Sequence, residues 1–197
     1  MSTTLPTAQV PREIEYYHVS QRADLTAIIG GSTQRRERTG SRGGVRVVLP
    51  PMSAANALPW QRRLKVSADT VVLELPQPGI TIGSPGSPLV NGGSQTGTSL
   101  IIDGGAASYT FKEGQLVAFS VSSLIYCYEV AADVTLNGSG AGTLTFSQPI
   151  RSSPADNAAL IINPAKIEGF VQLDDGALTI SVERIMAGCS FRIVERR

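Results

Sequence analysis

The apolar residues of this chain come in short runs, and glycine or proline closes nearly every one. TVVLEL (70–75) stops at Pro76, TSLIID (98–103) at Gly104-Gly105, AGTLTFS (141–147) before Pro149 and AALII (158–162) before Pro164. Short Val/Ile/Leu-rich runs bounded by turn residues read as strands, because a strand needs few residues and a helix needs several turns. Twenty glycines and twelve prolines in 197 residues provide the turns. The pattern argues against a disordered chain, a coiled coil and a helical bundle, and predicts a mainly β fold. A chain of this length has room for one domain, or for one domain carrying a smaller inserted one.

Residues 1–22 read as an N-terminal arm, since Pro6 and Pro11 forbid a long helix, with Glu13 to Val19 able to add a strand edge. Ala23 to Ile29 reads as a strand closed by Gly30-Gly31. Residues 32–44, STQRRERTGSRGG before Val45, contain no hydrophobe and read as a long exposed loop. Val45 to Leu49 is a strand, and Ser53 can cap a helix over 54–66 that Pro59 shortens, kinks or splits. Thr70 to Leu75 is another strand. A Pro/Gly/Ser connector follows over 76–97, with a strand-like piece at Ile80 to Ile82.

Beyond it, strands are predicted at 98–103, 115–121, 124–134, 141–147 and 158–162, with Asn137-Gly138 as a hairpin turn. Five short strands in succession suit a small barrel of the SH3-like or OB-like kind. Three more follow at 169–173, 177–185 and 190–196. In ALTISVERI, Leu178, Ile180, Val182 and Arg184 alternate with Thr179, Ser181 and Glu183, so one face is apolar enough to close a sheet and needs a partner layer. The predicted organisation is an outer β domain, sandwich-like or tube-like, built from 23–85 and 165–197. It carries an inserted small barrel over 86–164 and one short helix.

The residues for catalysis are sparse. His18 is the single histidine, and Cys127 and Cys189 lie far apart, so a standard structural zinc site is not available. No Gly-x-Ser-x-Gly elbow and no phosphate-cradling Gly-Lys-Ser/Thr loop occurs. Gly138, Gly140 and Gly142 imitate a dinucleotide fingerprint, but Thr143 replaces its third glycine and no helix pattern follows. Neither a catalytic residue nor a metal or cofactor is expected. The start of the chain has no apolar segment of a secretory signal, so a soluble, cytoplasmically made protein without membrane insertion is expected.

Charge is unevenly spread. Residues 1–65 hold ten Lys/Arg against four Asp/Glu, or +6; residues 66–197 hold seven against twelve, or −5. Such a chain can pair head to tail with copies of itself. Arg35, Arg36, Arg38 and Arg42 gather in one segment, with three readings: a contact to a partner subunit, a solvated loop, or a grip on single-stranded nucleic acid. No aromatic residue lies between them to stack a base. Arginine forks suit carboxylates at subunit contacts, so these four, with Trp60, Arg62 and Arg63, are the candidate interface residues. Tyr109, Tyr126 and Tyr128 are candidate ligand platforms, or else packing residues.

Residues 95–162 also carry recognisable wording. Gln95-Thr96-Gly97 leads to Leu100 and Asp103-Gly104; FKEGQLVAF (111–119), IYCYEVAADVT (125–135) and GTLTFSQPIRSSPADNAAL (142–160) follow. These segments, with LPPM and Trp60 (49–60) ahead of them, resemble a module in tail-tip proteins of long-tailed bacteriophages. The chain is similar to distal tail proteins. The resemblance implies a homo-oligomeric ring in the virion, usually a hexamer. The tail tube protein lies on one side, tip or hub proteins on the other, and genomic DNA passes through the lumen without sequence-specific binding. A carbohydrate- or receptor-binding β module of the tail tip is the alternative. No catalytic residue carries over.

Overall fold

A computed structural model describes residues 2–7, 10–26, 30–37, 40–66, 70–174, 185–186 and 188–196. The fold is mainly β with one helix among the described residues. Its largest sheet has six strands. In spatial order they are β1 (Thr3–Thr4), β7 (Val71–Leu75), β16 (Ala165–Leu173), β18 (Ser190–Glu195), β5 (Arg42–Val48) and β2 (Glu13–Val19). The two C-terminal strands thus form the centre of the sheet and N-terminal strands flank them. All neighbours are antiparallel except β1 and β7.

Register aligns apolar residues in rows across this sheet. Ile14, Val47, Phe191 and Leu173 form one row, and Tyr16, Val45, Ile193 and Val171 the next. Period-two alternation puts both rows on one face, and all eight residues belong to or pack against one core. Helix α1 (Ala54–Val66) covers part of that face with Ala57, Trp60 and Leu64. The Trp60 ring lies 6.1 Å from Phe191, centroid to centroid.

Residues 76–164 leave and re-enter at paired positions, since Leu75 sits opposite Ala165. They build a second core of their own. One sheet joins β14 (Gly142–Ile150), β9 (Gly97–Gly105) and β8 (Gly86–Val90); another joins β12 (Leu124–Glu129), β11 (Leu116–Val121) and β15 (Leu160–Ile161). Single bridges, Leu89 to Ala159 and Val130 to Phe146, connect the two sheets on both sides and close a ring of six strands. Phe119, Tyr128 and Phe146 stack in its middle, with centroids 5.0 and 5.1 Å apart. A short pair, β10 (Thr110–Phe111) with β13 (Val134–Thr135), closes one end. Leu116, Ala118 and Cys127 point out of the ring into the first core, so β11 and β12 are the layer on which the two units meet.

Several expectations are corrected. Residues 1–22 are not a free arm: Glu13–Val19 adds a strand to the end of the main sheet as expected, but β1 also joins that sheet and Leu5 is buried. The two prolines prevent a helix but leave strand pairing open on either side of them. Residues 32–44 are not a long loop. β3 (Arg22–Leu25) and β4 (Gln34–Glu37) form a hairpin, and Arg42 already begins β5. The hairpin is polar because it is exposed, which removes the apolar period that would have marked it.

α1 runs unbroken through Pro59. The proline removes the donor for the Ala55 carbonyl, and both residues lie on the exposed side of the helix, so that carbonyl is not buried without a partner. No strand forms at 80–82; β8 begins only at Gly86. The strand expected over 124–134 ends at Glu129, because Asp133 turns back to accept the Glu113 N–H at 2.8 Å and the Lys112 ammonium at 2.7 Å. β14 passes through Pro149, where its register with β9 shifts between Thr145 and Ile150, as prolines in strands require. Most of the strand expected over 177–185 lies outside the described residues. A final short pair, β6 (Met52–Ser53) with β17 (Ile185–Met186), lies beside α1.

Candidate functional site

Within its own sheet β12 pairs only with β11, so its other edge needs hydrogen-bond partners where it faces the main sheet. Side chains provide them. Glu168 Oε2 accepts the Ile125 N–H at 2.9 Å, and Glu195 Oε1 accepts the Cys127 N–H at 2.7 Å. Residues 125 and 127 point the same edge groups outward, so two carboxylates spaced along the main sheet take the place of a neighbouring strand. Tyr16 donates its hydroxyl to the Cys127 carbonyl at 3.2 Å, and Gln148 Nε2 donates to that carbonyl at 3.3 Å and to the Tyr16 oxygen at 3.1 Å.

Both carboxylates are buried: Glu168 is 3% exposed and Glu195 1%. Each is multiply satisfied, as a buried charge must be. Glu168 Oε1 accepts from the hydroxyls of Ser2 and of Thr70, the latter at 3.2 Å. Glu195 Oε2 accepts the Gly43 N–H at 2.7 Å and pairs with the Arg151 guanidinium. Glycine is required at 43, since a Cβ there would lie 2.6 Å from the Tyr16 hydroxyl and 2.9 Å from Glu195 Oε2. Arg151 in turn lies over the Tyr126 ring, 5.1 Å from its centroid. At the rim, His18 Nδ1 is 3.2 Å from Gln148 Oε1, and Nε2 is 3.3 Å from Glu129 Oε2.

Burial raises the Glu195 carboxyl above its ordinary value, although Arg151 and the N–H groups of Cys127 and Gly43 pull the other way. Burial, then the nearby Glu195 and Glu129 charges, pushes the Cys127 thiol well up. Tyr16 is likewise well above its ordinary value through burial, and Tyr128 is pushed up to about 12 by the same cause. The Cys127 thiol and the Tyr16 hydroxyl therefore stay protonated near neutrality, and the thiol is no activated nucleophile. The cluster's chemistry is to hold two units in one register. Among the described residues, no group of three or more His, Cys, Asp or Glu is placed to hold a metal ion. No helix among them is long and apolar enough to cross a membrane.

The candidate interface residues are spread over three elements. Arg35 sits on the hairpin opposite Asp24, with Nε 3.0 Å from Oδ1. Arg36 is exposed beside it, and Arg38 lies outside the described residues. Arg42 is half-buried at the start of β5, and its buried Nε has no hydrogen-bond partner among the described residues. Arg62 is exposed on α1, whereas Arg63 donates to the Thr4 carbonyl at 2.5 Å. Trp60 is corrected: at 1% exposure it is a core residue with no surface to offer a neighbour.

The tyrosines are corrected as well. Tyr128 is fully buried and accepts the Arg151 N–H at 3.1 Å; Tyr126 is 8% exposed under Arg151. Tyr109 is half-buried, edge-on to Phe111, and accepts from Gln115. Tyr128 packs the barrel core, Tyr109 packs at its end, and Tyr126 lines a cleft from beneath Arg151. A cleft of about 880 Å³ does open beside Arg151, lined also by Gln21, Ser41, Thr96 and Arg196.

Sequence reading missed Tyr16, Gln148, Arg151, Glu168 and Glu195. A signal existed for Glu195: Phe191, Ile193 and Glu195 share the buried face of one strand, and a carboxylate in that series demands buried partners. No protein-family model matches the chain, and no curated protein matches it.

Proposed function

We propose that the chain is a structural subunit of a phage tail tip, forming a ring that joins the tail tube to the tip or receptor-binding apparatus. The observation that carries this reading is the β3–β4 hairpin. Among the described residues its strands pair only with each other and its residues join neither core, and Leu25 is 61% exposed. An isolated two-stranded hairpin is marginal in water, so a partner that covers it explains why it persists. Beside it in sequence, β2 is the last strand of the main sheet among the described residues, and its outer edge is a natural place for a neighbouring chain.

The resemblance of residues 95–162 to the tail-tip module supports a tail-tip ring over other assemblies. The low charged fraction, 17% against about 25% in soluble domains, fits a surface shared with neighbours. The buried carboxylates favour a scaffold over an enzyme, because their oxygens are committed to backbone N–H groups, to the Ser2 and Thr70 hydroxyls and to Arg151. In the ring, DNA passes through the lumen without sequence-specific contact, with tube and hub proteins on opposite sides. The alternative, a carbohydrate- or receptor-binding module, rests on the cleft beside Arg151, which Tyr126 also lines, rather than on Tyr109 or Tyr128.

Native mass spectrometry and negative-stain imaging of the purified chain over a wide concentration range test the ring. A closed cyclic oligomer, hexameric by the resemblance, is the expected result. A monomer at every concentration refutes it.

A further inference from the structure

Along α1, Ala55, Leu58, Arg62 and Lys65 recur at helical spacing and all are exposed. Leu58 is 55% exposed and borders a shallow depression formed with Ala55, Pro59, Arg62 and Arg63. The helix contains Arg62, Arg63 and Lys65 and no acidic residue. Its other face, Ala57, Trp60 and Leu64, is already used in the core. A large exposed apolar side chain therefore stands one and two turns before the exposed cations Arg62 and Lys65 on the same helix face.

The barrel carries the complementary surface. Alternation along β9 buries Leu100 and Ile102 and turns Ser99, Ile101 and Asp103 outward, with Ile101 49% exposed. Asp156 lies alongside: its carboxylate accepts the Gly92 N–H at 2.8 Å, and adjacent Asn91 donates its N–H to the Ile101 carbonyl at 2.9 Å. No lysine or arginine occurs between Lys65 and Lys112, or between Arg151 and Lys166. The segments that form this patch thus carry negative charge alone.

We propose that the α1 face of one copy docks on the β9 patch of a second copy, with Leu58 against Ile101 and Arg62 and Lys65 facing Asp103 and Asp156. The two surfaces differ, so the contact is heterologous and repeats head to tail, the arrangement from which rings close. This rests on the ring reading above and names its partner surfaces. A 13-residue helix is about 20 Å long, so this contact forms part of a larger interface and sets its register.

Sedimentation velocity on the full chain, over graded concentrations, compares wild type with three variants: Arg62→Glu/Lys65→Glu, Asp103→Lys/Asp156→Lys, and the two sets combined. Circular dichroism and melting check the fold of each. Because Asp156 also holds a loop, Asp103→Lys alone and Leu58→Asp accompany the set. Each charge reversal is expected to weaken self-association about 100-fold, through like charges brought together, and the combination to restore it. If wild type assembles and the helix reversals leave assembly unchanged, the docking is wrong while the ring stands. Loss in both reversals without recovery in the combination also overturns the pairing. A wild type that never assembles removes the ring itself.

Discussion

Replacing Glu195 by glutamine tests the junction most directly. Three donors converge on its carboxylate: the Cys127 and Gly43 N–H groups, both at 2.7 Å, and the Arg151 guanidinium. An amide keeps one oxygen and places an NH2 against at least one of these donors. A buried donor without an acceptor costs about 1–3 kcal/mol. Arg151, whose side chain is 11% exposed, also loses its counter-charge, and breaking a buried pair from one side costs about 3–5 kcal/mol. These overlap, and relief from burying the carboxylate offsets part, so Glu195→Gln should destabilise by about 3 kcal/mol.

For a chain of this size that lowers the midpoint of thermal unfolding by about 6–12 °C. Urea and thermal unfolding followed by circular dichroism give both values. Arg151→Met and the double variant complete a cycle, in which the double should recover at least about 1 kcal/mol because no lone charge remains. Hydrogen exchange should show the Cys127 amide losing protection before the centre of β11. The dependence on pH has a definite sign. The Glu195 carboxyl is raised in the folded state, so the native chain holds that proton more tightly than the unfolded one. The stability so contributed is complete below the unfolded value of 4.5 and is lost as pH rises through the folded value. Wild type should therefore gain on Glu195→Gln as pH falls from neutrality through the folded value towards 4.5. A variant within about 0.5 kcal/mol of wild type, or a strictly additive double, would refute the clasp.

Gly43→Ala should destabilise by about 1–3 kcal/mol in urea titrations, since its Cβ falls on the Tyr16 hydroxyl and on Glu195. Asp133 is held below its ordinary 3.8 by the Lys112 ammonium and then the Glu113 N–H. Lys112→Met should move its titration midpoint upward by NMR, and any stability it contributes is lost as pH falls through the folded value. Cys127 and Cys189 are both buried, and burial pushes the Cys127 thiol up. A thiol reagent should therefore leave Cys127 unmodified in the native protein and count two thiols once urea unfolds it.

The mainly β character and the strands at 45–49, 70–75, 98–103 and 115–121 were legible because their residues alternate or cluster in the β period between Gly and Pro. The Asn137 turn was legible for a local reason too: its side-chain oxygen accepts the N–H groups of Ser139 and Ala141, at 3.0 and 2.9 Å. Period and turn chemistry act over a few residues, and sequence by itself determines what they govern. It does not determine neighbours. Polar QRRE at 34–37 shows no buried period, yet it pairs with Arg22–Leu25; EIEYYHV at 13–19 joins the sheet beside Arg42–Val48.

Tyr16, Gln148 and Glu195 meet around Cys127, with 132 residues between Tyr16 and Gln148 and 68 between Cys127 and Glu195, and nothing in a local window encodes that meeting. Closing a longer loop costs only slightly more entropy than closing a short one, so distance along the chain hardly restricts which strands pair. The tertiary structure made that choice through burial: once β12 lay against the main sheet, its edge N–H groups required acceptors, and Glu168 and Glu195 were the groups that reached them.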